Sequence, residues 1–600
     1  MNVPSRSWFD PVLGSWLHTG EDAVEWGLRF KGGPLATDIE TPGLDRAFEI
    51  NCVTMAWREG EHVHSILLDP RRNPTHADVA AVMYAQATRI ILHNAPYDAP
   101  GLYHAGMLGL DGVDRITDTL VLARLAYPDR LIRKSLGDLA VTHLGWEEFK
   151  GGMDLAFKAA GFRTKDAGYE GMDIDSPVYR MGAMADTVGT LLIEPVLRQK
   201  CRDLTLNHPF RVHGCTTLDD ADRVIRTQEV VHRVMLRRTA VGLNVDRDYL
   251  DSYLNRVHDD RQRHMAALAS AGLEGGNGKS AALITYLHDR GELPSGWPRT
   301  STGRLRATKA DLEKLAQLDH PLAAAQRSLA ETDKVINYLE KVAHQATVTG
   351  RCHPQVGTLG ASQTGRTSYS QPELQQFPAA ARPIIVADDP NTVWSVDFAQ
   401  IEPVVMGLMA RDTEFLEPFE AGGDLYEPLM RAAGIDRKTS KTVLLATMYG
   451  QGVSAMAGRI GHTIESAAQI RRQILEAMPR CGPWMRRVQS IAEDMNLVLT
   501  AGGRILPCAP DWSNKAVNWT VQSSAYDVLA HAICALEGAG LGDSIMISMH
   551  DELVVEGDES LARDVQKIME APPQFLIDRA GRVPVLRTDC ATTGKAWGSV

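Results

Sequence analysis

The stretch SIMISMHDELVVEG, Ser544 to Gly557, sets His550, Asp551 and Glu552 between two short apolar runs. Each run has the look of a buried strand, so the pattern predicts a hairpin with the charged triplet at its turn. Burying a carboxylate is costly unless a cation or a hydrogen-bond donor compensates it. A second stretch, VWSVDFAQIEPVVMGLMA, predicts a strand ending at Asp397 and then a helix. A strand end and a hairpin tip can meet in one sheet. Two aspartates there could hold two divalent cations, and the tip then wants negative charge because a cation sits over it.

Length and composition bound the rest. Six hundred residues suggest about three to five structural units. With 44% hydrophobic and 23% charged residues the chain has ample core for a soluble globular protein. No apolar run is long enough to cross a bilayer, and the N-terminus lacks the basic-then-apolar form of a signal peptide. The eight cysteines form no CxxC pair, which fits a reducing cytoplasm and argues against a zinc site. A net charge of -12 lends no support to nucleic-acid binding, although a local basic segment, RTSTGRLRATKADLEK from Arg299 to Lys314, could supply it. The Gly-rich GLEGGNGKS follows a helical run and has five residues, not four, between Gly272 and Gly278, so it reads as a loop and not a phosphate-binding one.

A further acidic cluster is expected near the N-terminus. LATDIETPGLD places Asp38 and Glu40 on one face of a strand. ILHNAPYDAPGL places Asn94 and Asp98 four apart, as on one face of a helix start. Asp186 lies in the apolar run MGAMADTVGTLLI, where a lone carboxylate needs a positive partner. Converging carboxylates could hold two divalent cations that activate a water for phosphodiester hydrolysis. Oxygen ligands favour Mg²⁺ or Mn²⁺ over zinc. RIILHNAP and ITDTLVLARL both read as strand-like runs, so residues up to about 190 predict an α/β unit, with a helical region from about 216 to 345.

RKTSKTVLLATMYG predicts a helix stopped at Gly450, carrying Arg437, Lys441, Leu445 and Tyr449 in a slowly drifting stripe. Two cations followed by an aromatic suit a triphosphate at one end and a base or sugar at the other.

These segments resemble known families. The N-terminal part is similar to DnaQ-like 3′-5′ exonucleases of the proofreading type, whose DxE and Nx3D motifs appear as Asp38/Glu40 and Asn94/Asp98, with Asp118 in TDTLVLARL a further match. Their Yx3D motif departs: Gly182 precedes Asp186 by four, and the nearest tyrosine, Tyr179, by seven. In that family the tyrosine helps orient the attacking water. The remainder resembles family A DNA polymerases of the DNA polymerase I type. DFAQIEPV matches motif A, which implies that Asp397 binds both metals and that Glu402 helps exclude a ribose 2′-hydroxyl. Arg437, Lys441, Leu445 and Tyr449-Gly450 match motif B, implying a grip on the incoming dNTP, with Tyr426 standing where a phosphate-contacting histidine is usual. MHDE matches motif C, implying Asp551 as second metal ligand and His550 near the primer end. TGRTSYSQPELQQFP places Arg366 and Gln375 on the primer-template duplex, and NWTVQSSAYD places Asn518 and Gln522 on its minor groove. Leu445 for Phe or Tyr, Pro403-Val404 for Leu-Arg, Ser548 for Gln and Glu373 for Asn are departures.

The resemblance implies an α/β, RNase H-like exonuclease domain with a mixed sheet over residues 1–195, followed by an α+β right-hand polymerase. Linker and helical thumb would span 196–350, palm 351–425 and 501–600, and fingers 426–500. It implies two Mg²⁺ per active site (Mn²⁺ being acceptable), dNTPs and primer-template DNA as partners, and single-stranded 3′ ends at the exonuclease site, where Asn94 would contact DNA. A cytoplasmic, bacteriophage-type replicative monomer without a 5′ nuclease domain or a large thumb insertion is expected. The rival reading is a DNA-binding exonuclease with a decayed polymerase domain.

Overall fold

The computed structural model describes residues 6–146, 152–206, 217–361 and 363–598. Near the N-terminus seven strands form one sheet: β1 (Arg6–Asp10), β2 (Ser15–Thr19), β3 (Gly33–Glu40), β4 (Cys52–Glu59), β5 (His62–Leu68), β6 (Ala87–Leu92) and β7 (Ile116–Asp118). Their spatial order is β1-β2-β5-β4-β3-β6-β7. The sheet is mixed: β3 runs antiparallel to β4 and parallel to β6. Alternation along the strands separates two cores. Ala36, Ala56 and Leu67 join one, while Leu35, Met55 and Ile66 join the other. The helices that follow are α1 (Ala95–His104), α2 (Thr119–Ala126) and α3 (Pro177–Leu206). Through Ala183, Met184 and Val188, α3 covers the face shared by Ala36, and this brings Asp186 over the end of β3.

The expectation of a strand over ITDTLVLARL is corrected. Only Ile116–Asp118 is extended, and Asp118 then accepts a hydrogen bond from the Leu120 amide (2.8 Å) as the N-cap of α2. A capping aspartate ahead of leucine-rich, helix-forming residues outweighs β-branching that ends at Val121. The boundary placed at 195 falls inside α3, which continues through Pro195 to Leu206.

Helix α4 (Leu218–Val241) runs between this domain and the rest. Its Arg237, largely buried, donates to Glu537 (2.9 and 2.5 Å) and Asp543 (2.7 Å) and also pairs with Asp114, so one guanidinium binds both halves together. Helices α5 (Arg247–Ala269) and α6 (Pro321–Thr349) pack against each other. The segment 272–279 between helices is a loop, with Gly276 and Gly278 at positive φ, and Ser280 opens the next helix. Beyond it lie α7 (Ile401–Ala410), α8 (Arg437–Met448) and the mostly buried α9 (Ala516–Gly538). A four-stranded antiparallel sheet carries the second acidic cluster: β8 (Thr392–Phe398), β9 (Ile545–Met549), β10 (Glu552–Gly557) and β11 (Thr588–Gly594), ordered β9-β10-β8-β11. Among the described residues no helix is long and apolar enough to cross a membrane.

Candidate active sites

The N-terminal cluster forms where β3 meets α3. Carboxylate oxygens of Asp38, Glu40 and Asp186 lie within 4.8 Å of one another. Asp98 joins from α1, buried, with Oδ1 accepting the Ile39 amide at 3.1 Å. Burial is the main cause that pushes these carboxyls above their usual range, to about 8 for Asp98 and about 7 for Asp186. Asp38 and Glu40 are also pushed well up, by burial first and then by their acidic neighbours. Crowded carboxylates with raised pKa values, all offering oxygen, suit a hard divalent cation. Asn94 does not share the face of Asp98: it caps α1 in a left-handed conformation (φ 71°) with its side chain exposed. Asp118 stands outside the cluster and is structural. It accepts the Asn94 and Ala95 amides at 3.0 and 2.9 Å, and His232 Nε2 lies 3.3 Å from it. Burial opposes its ionisation, but His232 and these amides hold the carboxyl well below the usual range.

The raised values set a linkage. A carboxyl whose folded pKa exceeds its unfolded value costs stability as pH rises from the unfolded value to the folded one. For Asp98 and Asp186 that window runs from about pH 4 to about pH 8. With EDTA present, the N-terminal domain is therefore expected to melt lower at about pH 8 than at about pH 6. Mg²⁺ should raise its Tm more at the higher pH, and Asp38→Asn should shrink both effects. Thermal unfolding at the two pH values checks this, and equal Mg²⁺ shifts would contradict it.

The second site is built on the hairpin. β9 and β10 are joined by a two-residue turn, Met549 pairing with Glu552, and His550 takes the positive φ (58°) that such a turn demands. The Phe398 amide donates to the Asp551 carbonyl (3.2 Å), which ties the tip to the end of β8. Asp397 pairs in register with Glu552 on one side and Asp589 on the other. Burial first, then Asp551, Glu552 and Asp589, pushes Asp397 up to about 7, with Lys441 acting in the opposite direction. Burial also raises Asp551, partly offset by Arg366. Glu402, in the first turn of α7, is clamped. Its Oε1 accepts from Arg366 Nη2 at 2.6 Å, and its Oε2 accepts from the Tyr449 hydroxyl at 2.7 Å. Gln522 lies against the same hydroxyl from α9.

The loop carrying Arg366 needs its glycine. Gly365 has φ +69°, and a Cβ there would sit 2.2 Å from Arg504 Nη1. Arg504 is buried, paired with Asp527 at 2.6 Å, and donates to the Thr364 carbonyl, so this pair braces the loop from beneath.

Helix α8 buries Ser440, Val443, Leu444 and Thr447 and leaves Arg437 and Lys441 exposed, with Leu445 half-buried. Arg437 Nε pairs with Asp424 (2.5 Å), and its guanidinium lies 5.2 Å over the Tyr426 ring. Tyr426 is only 2% exposed, so it supports Arg437 from below and presents no surface of its own. Gln375 is turned inward, accepting the Tyr369 amide (3.0 Å) and donating to the Thr367 carbonyl (3.3 Å). Asn518 is half-buried, with Oδ1 buried and unpartnered among the described residues. Sequence reasoning missed Asp589 and Asp424. Asp589 stands in no motif and enters only through strand pairing, while Asp424, two residues before Tyr426, enters through its pairing with Arg437.

A family model for "DNA polymerase family A" matches residues 248–599. A DNA polymerase of Mycobacterium phage L5 is 24% identical over 581 residues, covering 94% of this chain and 93% of that protein. DNA polymerase I of Pseudomonas aeruginosa is 27% identical over 327 residues, 49% of this chain and 36% of that one. The solved POL domain of Pol1 from M. smegmatis, in complex with DNA primer-template and dNTP, has a TM-score of 0.70 at 19% identity, covering 96% of this chain and 98% of that one, which establishes a shared fold. The family match spans α5 to β11 and so contains Asp397 with its paired hairpin, the Glu402 clamp and the cationic face of α8; the chain belongs to DNA polymerase family A.

Proposed function

We propose that the chain is a DNA-directed DNA polymerase that adds dNTPs to a primer 3′-hydroxyl at the Asp397/Asp551 site and hydrolyses 3′ ends at the Asp38/Glu40/Asp98/Asp186 site. The observation that carries the reading is the pair of acidic clusters on two separate sheets, one of them beside the locked Glu402. On this reading residues 1–195 serve as the exonuclease, 196–350 as linker and thumb, 351–425 and 501–600 as palm, and 426–500 as fingers. The protein would act in the cytoplasm, the host's if phage-encoded, as a monomer on primer-template DNA.

Both acidic sites fit Mg²⁺, for which they offer carboxylate oxygens. When bound by Asp397 and Asp551, Mg²⁺ supplies Lewis acidity toward the primer hydroxyl and neutralises charge on the triphosphate. The chain's own residues supply position. Lys441 and Arg437, exposed on one face of α8, meet the triphosphate, and the Tyr426 ring keeps Arg437 in place. Arg366 balances Glu402 and Asp551 together. His550, exposed at the hairpin tip, and Asn518 and Gln522 on α9 face the duplex, while Gln375 shapes the loop beside Arg366. In the N-terminal site a water held among carboxylates would attack the terminal phosphodiester, with exposed Asn94 at the mouth on the DNA strand.

Leu445 leaves the nucleotide sugar without an aromatic wall. Leu445→Phe or Leu445→Tyr is expected to raise the single-turnover rate several-fold or to change dideoxynucleotide use. Quench-flow with dNTP and ddNTP reads both, and no change in either would refute the idea.

The test of the whole reading is a gel assay on labelled primer-template with Mg²⁺, with and without dNTPs, for wild type, Asp38→Ala and Asp551→Ala. Extension lost only in Asp551→Ala, and shortening lost only in Asp38→Ala, is the expected result. Shortening without any extension by the wild type would replace the polymerase reading with that of an exonuclease alone.

A further inference from the structure

The position that would carry a tyrosine one turn before Asp186 is occupied by other atoms. A Cβ built on Gly182 would lie 2.5 Å from Met153 Cε and 2.8 Å from its Sδ. Met153 belongs to the helix Gly152–Ala159, which packs on α3. A second short helix, Lys165–Gly171, follows it and lies over the loop after β3. There Arg46 donates to Glu170 (2.8 Å), and a Cβ on Gly43 would come within 3.7 Å of Asp166. This packing brings Tyr169 to the acidic cluster. The Asn51 side chain donates to the Tyr169 carbonyl (3.0 Å), and the Asn51 amide donates to the Glu40 carbonyl (2.6 Å), so one residue links the two backbones.

Four tyrosines feel the acidic cluster, and their situations differ. Tyr84 is buried, its hydroxyl paired with that of Thr37 at 2.7 Å. The Tyr97 hydroxyl is engaged by Thr41 and by the Gly43 carbonyl (3.1 Å). Tyr179 is 1% exposed and sits behind Tyr169, their rings 6.2 Å apart at 80°. Tyr169 is half-buried, its ring held edge-on by Phe157 at 4.9 Å, and burial first, then the charges of Glu40, Asp186, Asp38 and Asp154, push its phenol up.

Building on the exonuclease reading above, we propose that Tyr169 is the residue that positions the attacking water, donating its hydroxyl proton in a hydrogen bond to that water or to the scissile phosphate. Carboxylates held ionised by a bound cation only accept hydrogen bonds. A phenol kept protonated by burial, and then by those four carboxylates, adds a fixed donor where none of the acids can supply one. In the step served, the water oxygen forms a bond to phosphorus and the bond from phosphorus to the preceding nucleotide's 3′ oxygen breaks. The water's proton passes to a carboxylate and then to solvent, the leaving oxygen is protonated, and Tyr169 is unchanged.

Tyr169→Phe keeps the ring and its packing, so a merely structural role predicts wild-type behaviour. With a labelled single-stranded oligonucleotide and Mg²⁺, we expect Tyr169→Phe to lower kcat of shortening at least about tenfold with KM within about twofold. Tyr179→Phe should match the wild type, and primer extension by Tyr169→Phe should be unchanged. A Tyr169→Phe kcat equal to wild type, with Asp38→Ala inactive, overturns the role of Tyr169 and leaves the exonuclease reading standing. Absence of shortening by the wild type, or its persistence in Asp38→Ala, overturns both.

Discussion

Asp397→Asn is expected to slow single-turnover nucleotide addition by at least about 10³-fold, roughly 4 kcal/mol of barrier, while shortening of single-stranded 3′ ends continues at the wild-type rate. The substitution keeps the size of the side chain and removes its charge, so the sheet should fold as before. What is lost is the anion that β8 presents between Glu552 and Asp589. On the proposed reading, protons and Mg²⁺ would compete for this group, because burial and then its acidic neighbours push its pKa up to about 7. The Mg²⁺ concentration needed for half-maximal extension should therefore climb as pH falls below about 7. Asp589→Asn, which removes an exposed neighbour, should weaken that dependence by lowering the Asp397 pKa. Quench-flow across pH and Mg²⁺ would show this, and an Asp397→Asn enzyme extending within tenfold of wild type would place the metal site elsewhere.

How much of this was legible in the sequence depended on whether the signal was local. The hairpin at His550-Asp551 was readable because two apolar runs bracket a charged turn, and that turn needs nothing from the rest of the chain. The same holds for α8, where cap, periodicity and stop all lie within a few residues. The run after Asp118 was misread as strand because capping competes with β-branching over a few residues, and the His232 contact that fixes Asp118 comes from 114 positions away. Tyr426 shows the limit at the site itself. Sequence placed it beside the triphosphate, but the packing of Arg437 over its ring decides that it is buried. Asp589 and Tyr169 were invisible for one reason. Each reaches its cluster through register or helix packing, and no spacing along the chain encodes that.

Glu402→Ala is expected to narrow the preference for dNTPs over rNTPs by about 10²-fold and to slow dNTP addition as well. Each carboxylate oxygen of Glu402 already accepts a hydrogen bond, one from Arg366 at 2.6 Å and one from Tyr449 at 2.7 Å. On the proposed reading, a 2′-hydroxyl entering this corner would meet a side chain that these two bonds hold in place and that cannot turn away. Discrimination would then come from rigidity, and the two partners should be needed for it. Tyr449→Phe removes one hydrogen bond with almost no change in volume and should relax discrimination partway. Arg366→Lys keeps a positive charge but loses the guanidinium geometry, so it should relax it further. The cost in rate has a separate origin: Arg366, freed from Glu402, is drawn toward Asp551, whose charge it already partly balances. Paired kcat/KM values for a dNTP and the matching rNTP separate the two effects. If Glu402→Ala slowed both nucleotides equally, the clamp would serve only to place Arg366, and the exclusion of ribose would have to come from another wall of the pocket.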